Sequence, residues 1–238
     1  MKIYVLFLML SLCCFLACEE AEGVPPDVYS CTLSFAAQSD QHPRNLEIQA
    51  ALDELVTQIP GVQVALRSPG GATWTGAAGM ADIPGGITLE PCHRMMVGSI
   101  SKVFTSVLIL QLQDAGRLDI DDPLRNHIEA ELIAEIENAD QVTLRQMLNH
   151  TSGLADYNNT RFTFDALNTP HLLLSAREKL EYAHGKSATH APGEAYSYSN
   201  TNYVLLGLVV EQITGLSLPE ALQERIFTPL GLDRAQMG

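Results

Sequence analysis

From Val103 to Leu112 the chain is apolar almost all round: Val103, Phe104, Val107, Leu108, Ile109, Leu110 and Leu112 leave no continuous polar face. A helix with that pattern has no side to turn to water, so it has to run through the interior of a folded body. The 238 residues are enough to enclose it, as one large domain or two small ones. Gly116 stops the helix and Lys102 opens it, and lysine occurs elsewhere only at Lys2, Lys179 and Lys186. A charged amine at the mouth of an apolar helix needs a partner or a task.

The amino terminus has a different character. Met1-Lys2 is followed by an uncharged run from Ile3 to Ala17, too short for a comfortable membrane span and suited to a signal-peptide core. The run ends Phe15-Leu16-Ala17-Cys18 before Glu19-Glu20. This resembles a bacterial lipobox, in which Cys18 becomes a lipidated N-terminus; simple cleavage and an uncleaved anchor are the alternatives. Each of these takes the mature protein out of the cytoplasm to the cell envelope, on its periplasmic face or outer surface, and leaves residues 1–18 outside the fold. Residues 19–44 read as a linker and residues 45–238 as the folded region.

The chain carries 14 basic and 28 acidic residues, a net charge of −14. That balance argues against nucleic acid and anionic lipid surfaces as partners. Cys13, Cys14 and Cys18 fall in the leader, so Cys31 and Cys92 remain, either as one disulfide or as two thiols. There is no Cys-x-x-Cys and no His-x-x-x-His, so neither a metal site nor an organic cofactor is expected.

Order is expected from Asn45, a candidate N-cap, with Ile48, Leu52, Leu55 and Ile59 at helical spacing. After Pro60-Gly61, Val62, Val64 and Leu66 alternate as in a strand. Ser68-Pro69-Gly70-Gly71 reads as a turn, and Thr73 to Ala78 as the second strand of a hairpin. Beyond Asp121-Asp122-Pro123 the chain reads as mostly helical, around residues 144–149, 176–183, 202–214 and 218–226. The fold expected is therefore mixed α/β (α+β), with an antiparallel sheet flanked by helices and then an all-helical region.

Ser99 and Lys102 stand at i and i+3, which on a helix places them on one side, about 5–6 Å apart at Cβ. Gly98 lets the chain turn into that helix. A serine at a helix start has unpaired N–H groups and a favourable dipole beside it. An amine drawn out of water loses proton affinity, which suits a lysine to act as a base towards a neighbouring hydroxyl. Ser-x-x-Lys also arises by chance, and spacing alone leaves both readings open. Tyr198-Ser199-Asn200 is a second cluster: a phenol can relay a proton, and a carboxamide can hold a lysine and a substrate carbonyl. Packing and capping are the ordinary uses of such residues, and Tyr157-Asn158-Asn159 fits the same Tyr-x-Asn pattern.

Several segments together are more specific. Residues 97–105, Val-Gly-Ser-Ile-Ser-Lys-Val-Phe-Thr, resemble the nucleophile segment of the class C β-lactamase and D-alanyl-D-alanine carboxypeptidase family. So do the Gly-Arg-Leu-Asp-Ile-Asp-Asp-Pro-Leu run within residues 112–124, Asn149-His150-Thr151-Ser152-Gly153-Leu154, residues 191–203 around Tyr198-Ser199-Asn200, and residues 226–232. The resemblance implies a β-lactamase/transpeptidase-like fold and a serine hydrolase that works through an acyl-enzyme. It implies Ser99 as nucleophile, Lys102 as its base, Tyr198 as proton relay and Asn200 as the group that binds Lys102 and the substrate amide. Tyr157 ranks below Tyr198 and would line the cleft. His150 and Ser152, two apart in a Gly-containing turn, read as structural. The substrates implied are small molecules or peptidoglycan stems: D-alanyl-D-alanine peptides, β-lactams, D-amino-acid amides or small esters.

The family's third element, a late strand bearing Lys-Thr-Gly or His-x-Gly, has no counterpart. His184-Gly185-Lys186 precedes the Tyr-x-Asn element and is no substitute. Losing an oxyanion donor costs on the order of 10²–10³ in rate. The expectation is a C-terminally truncated chain, with the last strands of the sheet missing. The rival reading is a non-catalytic cell-envelope lipoprotein, or an inactive fragment, on the same scaffold.

Overall fold

The computed structural model describes residue 39 and residues 41–71, 73–169, 171 and 173–237. The expected leader, its Cys18, most of the 19–44 linker and Cys31 lie outside the described residues. The chain divides between Met95 and Met96 into two compact units.

The first unit is a helix on a small antiparallel sheet. Helix α1 (Asn45–Leu55) is followed by β1 (Gly61–Arg67) and β2 (Thr73–Asp82), paired with Gly61 opposite Gly79 and Arg67 opposite Thr73. A short third strand, β3 (Ile87–Thr88), pairs with β2. Leu52, Trp74 and Ala78 are buried together, with Ile48, Val56, Val62 and Val64 against them. The hairpin falls where period-two alternation places it. Gly76 shows why glycine occupies a strand here: a Cβ at that position would stand 2.1 Å from the Trp74 ring, which lies across it.

The structure corrects the cap. Helix α1 starts at Asn45 itself, with Arg44 at the cap position and no side-chain cap bond. The Asn45 amide oxygen instead accepts the Trp74 indole N–H at 2.7 Å, which satisfies a buried donor that sequence periodicity does not reveal. Order also begins before Asn45. Ser39 Oγ donates to the Thr75 carbonyl at 2.7 Å, and His42 Nε2 lies 3.1 Å from Ser68 Oγ. Cys92 is disulfide-bonded.

The second unit is helical. It contains α2 (Ser101–Asp114), which continues a 3₁₀ turn at Gly98–Ile100, then α3 (Ala130–Ile133), α4 (Leu144–Leu148), α5 (Thr160–Asn168), α6 (Ala176–Leu180), α7 (Asn200–Thr214) and α8 (Leu218–Leu222). Its core joins Leu108, Ile109 and Leu112 of α2 to Leu205, Leu206, Val209 and Val210 of α7, with Leu144 and Met147 of α4. The α2 helix is less enclosed than its composition suggests. One face is buried in this core, while Val103, Val107 and Leu110 remain partly exposed. The short helices begin at reciprocal caps: Thr143 with Gln146, Ser175 with Glu178, and Ser217 with Glu220. A cap such as Thr143 is worth roughly 1 kcal/mol, enough to set where a five-residue helix starts. Gly215, at φ 73°, ends α7.

Among the glycines of this unit, Gly153 leaves the least room for a side chain. Its φ is +73°, and a Cβ there would stand 2.1 Å from the His190 carbonyl oxygen. Gly153→Ala should therefore lower stability by roughly 2–4 kcal/mol, combining a left-handed backbone with overpacking. Urea unfolding would measure it, and a loss below about 1 kcal/mol would contradict this account.

Candidate active site

Two side chains expected from the sequence, Lys102 and Tyr198, meet at the Ser99 hydroxyl, and a third, Asn200, holds Lys102. Gly98 takes φ 53°, with open space where its Cβ would be, so glycine serves the sign of the dihedral rather than clearance. That turn presents Ser99 at the start of α2. Lys102, one turn on, donates from Nζ to Ser99 Oγ at 3.2 Å. The Tyr198 hydroxyl donates to the same oxygen at 2.9 Å. Lys102 Nζ also donates to Asn200 Oδ1 at 2.8 Å, and it stands 5.2 Å from the Tyr198 ring centroid and 5.6 Å from that of Tyr203. The amine thus joins the first turn of α2 to the first residue of α7.

Burial pushes the Tyr198 phenol up, but hydrogen bonds with Lys102 and Ser99 and the Lys102 charge outweigh it, so the phenol lies below its ordinary value. A more acidic phenol touching a serine hydroxyl is able to exchange a proton with it near neutral pH more readily than an isolated tyrosine can.

The competing Tyr157 is placed differently. It makes no hydrogen bond to Ser99 and lines a cavity of about 320 Å³ beside Lys102 and Asn200, together with Lys179, Val204 and Leu208. Burial first, then the Asp156 charge and Tyr198, raise its phenol above the ordinary value and keep it neutral. Its ring meets Phe162 edge-on at 5.1 Å.

His150 and Ser152 do not form a pair. Ser152 Oγ donates to Asn202 Oδ1 at 2.7 Å, and Asn202 Nδ2 donates to His150 Nδ1 at 3.3 Å. The Ser199 backbone N–H also donates to His150 Nδ1, at 3.2 Å. With two donors aimed at it, Nδ1 carries no proton, and the neutral ring is protonated at Nε2. The ring stacks on Tyr198 with centroids 4.4 Å apart. His150 holds φ 60°, uncommon for a residue other than glycine, and its carbonyl accepts from Ser197 N at 2.9 Å. His184, expected to be no part of the site, lies 3.9 Å from Glu135, and Gly185 N donates to the Glu135 carbonyl.

Sequence reasoning missed two residues, Asp156 and Asn202. Asp156 Oδ2 accepts from Asn200 Nδ2 at 2.9 Å, and Oδ1 accepts from the backbone N–H groups of Asn200 and Asn158, each at 3.1 Å. Asn202 is fully buried between Ser152 and His150. The available signal was position: Asn202 falls inside the 191–203 segment and Asp156 two residues after the 149–154 segment, though neither type nor spacing marked them. Among the described residues no group of three His, Cys, Asp or Glu side chains is arranged to hold a metal ion.

Comparison with known proteins places this site in a family. The Beta-lactamase family model matches residues 48–238. Penicillin-binding protein 4 of Amycolatopsis lactamdurans is 32% identical over 189 residues, covering 79% of this chain and 48% of that protein. Among solved structures, a D-stereospecific amidohydrolase from Streptomyces sp. superposes with a TM-score of 0.67 at 33% identity, over 77% of this chain and 54% of that one. The D-amino acid amidase of Ochrobactrum anthropi SV3 gives 0.66 at 29%, over 79% and 50%. The chain thus spans about half the length of these relatives.

Burial, and then the Lys102 charge, hold His150 below the ordinary histidine value, against the opposing pull of Asp156. A histidine depressed in the folded state contributes stability in full above its unfolded value of about 6.5. That contribution is lost as pH falls through the lower folded value. Between pH 7.5 and 5 the urea midpoint should drop more steeply for the wild type than for His150→Asn, which tolerates the left-handed backbone. Parallel slopes would contradict the assignment.

Proposed function

The chain belongs to the beta-lactamase family, and on that premise we propose that the protein is a serine hydrolase that opens amide or ester bonds through an acyl intermediate on Ser99. The convergence of the Tyr198 hydroxyl and Lys102 Nζ on Ser99 Oγ, at 2.9 and 3.2 Å, carries the proposal. A serine hydroxyl is a weak nucleophile until a base takes its proton.

In this reading Tyr198 first loses its hydroxyl proton to solvent, favoured by the Lys102 ammonium beside it, and then takes the Ser99 proton as Ser99 Oγ bonds to the substrate carbonyl carbon; Lys102 acts through its charge on this route rather than as the base that the resemblance implies. The carbonyl π pair moves to oxygen, and the charge develops beside the first N–H groups of the α2 turn. The bond to the leaving amine or alcohol then breaks, and Tyr198 returns the proton to it. Water, deprotonated by the same pair, cleaves the acyl-Ser99 ester and restores the hydroxyl. Asn200 Oδ1 keeps the ammonium in place throughout.

The names of the two amidase-like structures and of the penicillin-binding relative support acyl donors with a D-configured residue: D-amino-acid amides, D-alanyl-D-alanine-like peptides or β-lactams. One fold serves all of these chemistries, so side-chain placement around Ser99 selects among them. We also propose that the run ending at Cys18 exports the protein and anchors it by lipid; metabolic labelling with palmitate should mark the wild type and not Cys18→Ser, and equal labelling would refute the anchor.

Fluorescent penicillin and a fluorophosphonate probe test the enzyme on the full-length protein. Labelling should disappear in Ser99→Ala and slow by about 10²–10⁴-fold in Tyr198→Phe. If the wild type takes no label and hydrolyses neither D-amino-acid amides nor small esters, the non-catalytic envelope module is the correct reading.

A further inference from the structure

We infer that Asp156 is a positioning residue of this site: by taking up the N–H groups of Asn200, it dictates that the carbonyl end of the Asn200 amide faces Lys102. The inference rests on the reading of Ser99 as an acylated nucleophile. A carboxamide has two ends of almost the same shape and opposite hydrogen bonding. Only its oxygen accepts from an ammonium; the amino end would set donor against donor. Nothing in the shape of the site chooses between them, so a neighbour has to.

Asp156 has the chemistry to choose. An ionised carboxylate only accepts, and three N–H groups converge on it. Oδ2 takes the Asn200 side-chain N–H at 2.9 Å. Oδ1 takes the Asn200 backbone N–H at 3.1 Å, so one residue is gripped at both main chain and side chain. The third bond, from Asn158 N at 3.1 Å, locks the carboxylate into its own turn. The amide oxygen is left pointing at Lys102 Nζ, 2.8 Å away, and that amine lies 3.2 Å from Ser99 Oγ. Asp156 touches neither Ser99 nor Tyr198 by any hydrogen bond and reaches Ser99 through two intermediaries, Asn200 and Lys102.

An asparagine at 156 separates the functions of the carboxylate. Its oxygen retains the two backbone bonds, so the turn survives. Its NH₂ group replaces Oδ2 and meets the NH₂ of Asn200. Relief comes from turning the Asn200 amide over, which presents that NH₂ to the Lys102 ammonium and removes an acceptor from it.

The test is made on the full-length protein with fluorescent penicillin, following Ser99 acylation against probe concentration. Asp156→Asn should lower the limiting acylation rate by about 10- to 100-fold, as misplacement of a reacting group does, with the half-saturating concentration little changed. In an Asn200→Ala background the same substitution should change the rate by less than about 2-fold, because a residue acting through Asn200 has nothing left to act on. Asp156→Ala provides the second variant, with the same dependence on Asn200. A wild-type rate in Asp156→Asn, or equal losses in both backgrounds, overturns the inference. Absence of labelling in the wild type would instead count against Ser99 acylation. The positioning is then read by nitrogen-15 NMR from the Asn200 side-chain amide, whose protons should exchange with water faster in Asp156→Asn; unchanged exchange overturns it.

Discussion

The contact on which this site depends is the hydrogen bond from Lys102 Nζ to Asn200 Oδ1, 2.8 Å long and 98 residues apart in sequence. An ammonium at the mouth of an apolar helix loses water on one side and needs fixed acceptors in exchange. Ser99 is available locally, one turn away. The second acceptor has to come from elsewhere, and it comes from the first residue of α7. The packing of Leu108, Ile109 and Leu112 against the α7 residues Leu205, Leu206, Val209 and Val210 holds these helices in one core. An apolar core so close-packed lets its two polar helix ends meet to within a hydrogen-bond length.

The stretch from His150 to Asp156 supports that meeting point without a hydrogen bond to Ser99. His150 gives Tyr198 a ring to stack on and takes the Ser199 N–H. Ser152 reaches His150 through the buried Asn202, which it holds at 2.7 Å. Gly153 allows His190 to close over the turn. Asp156 then grips Asn200 at both its backbone and its side chain. These supports depend on an uncommon backbone, with His150 and Gly153 both at positive φ. Such local strain persists only where the surrounding contacts over-determine it.

All these side chains belong to the helical unit. The chain spans about half of its relatives, and the contacts that join Ser99, Lys102, Tyr198 and Asn200 all lie within the helical unit.

Much of the fold is legible locally. Alternation at Val62, Val64 and Leu66 with a Gly-rich turn specifies the hairpin, since side chains on a strand alternate whatever lies around them. The unbroken apolar run at 203–210 marks α7. The i, i+3 spacing of Ser99 and Lys102 makes them neighbours on any helix. The elements α3 and β3 escape this reading because four and two residues carry too little pattern, and α5, longer than the five-residue helices that were legible, buries none of its residues.

What the sequence determined by itself, then, is the helix that bears Ser99 and Lys102, the hairpin and, through resemblance, the candidate residues at Tyr198 and Asn200. Only the tertiary structure decided that the Tyr198 hydroxyl reaches Ser99 while Tyr157 lines the neighbouring cavity, that Asn45 serves Trp74, and that Asp156 and Asn202 belong to the site. Periodicity is a property of consecutive residues and carries no record of which distant helix ends come together. That meeting depends on how whole apolar faces fit, and the polar partners are chosen where the fit leaves them within about 3 Å of each other.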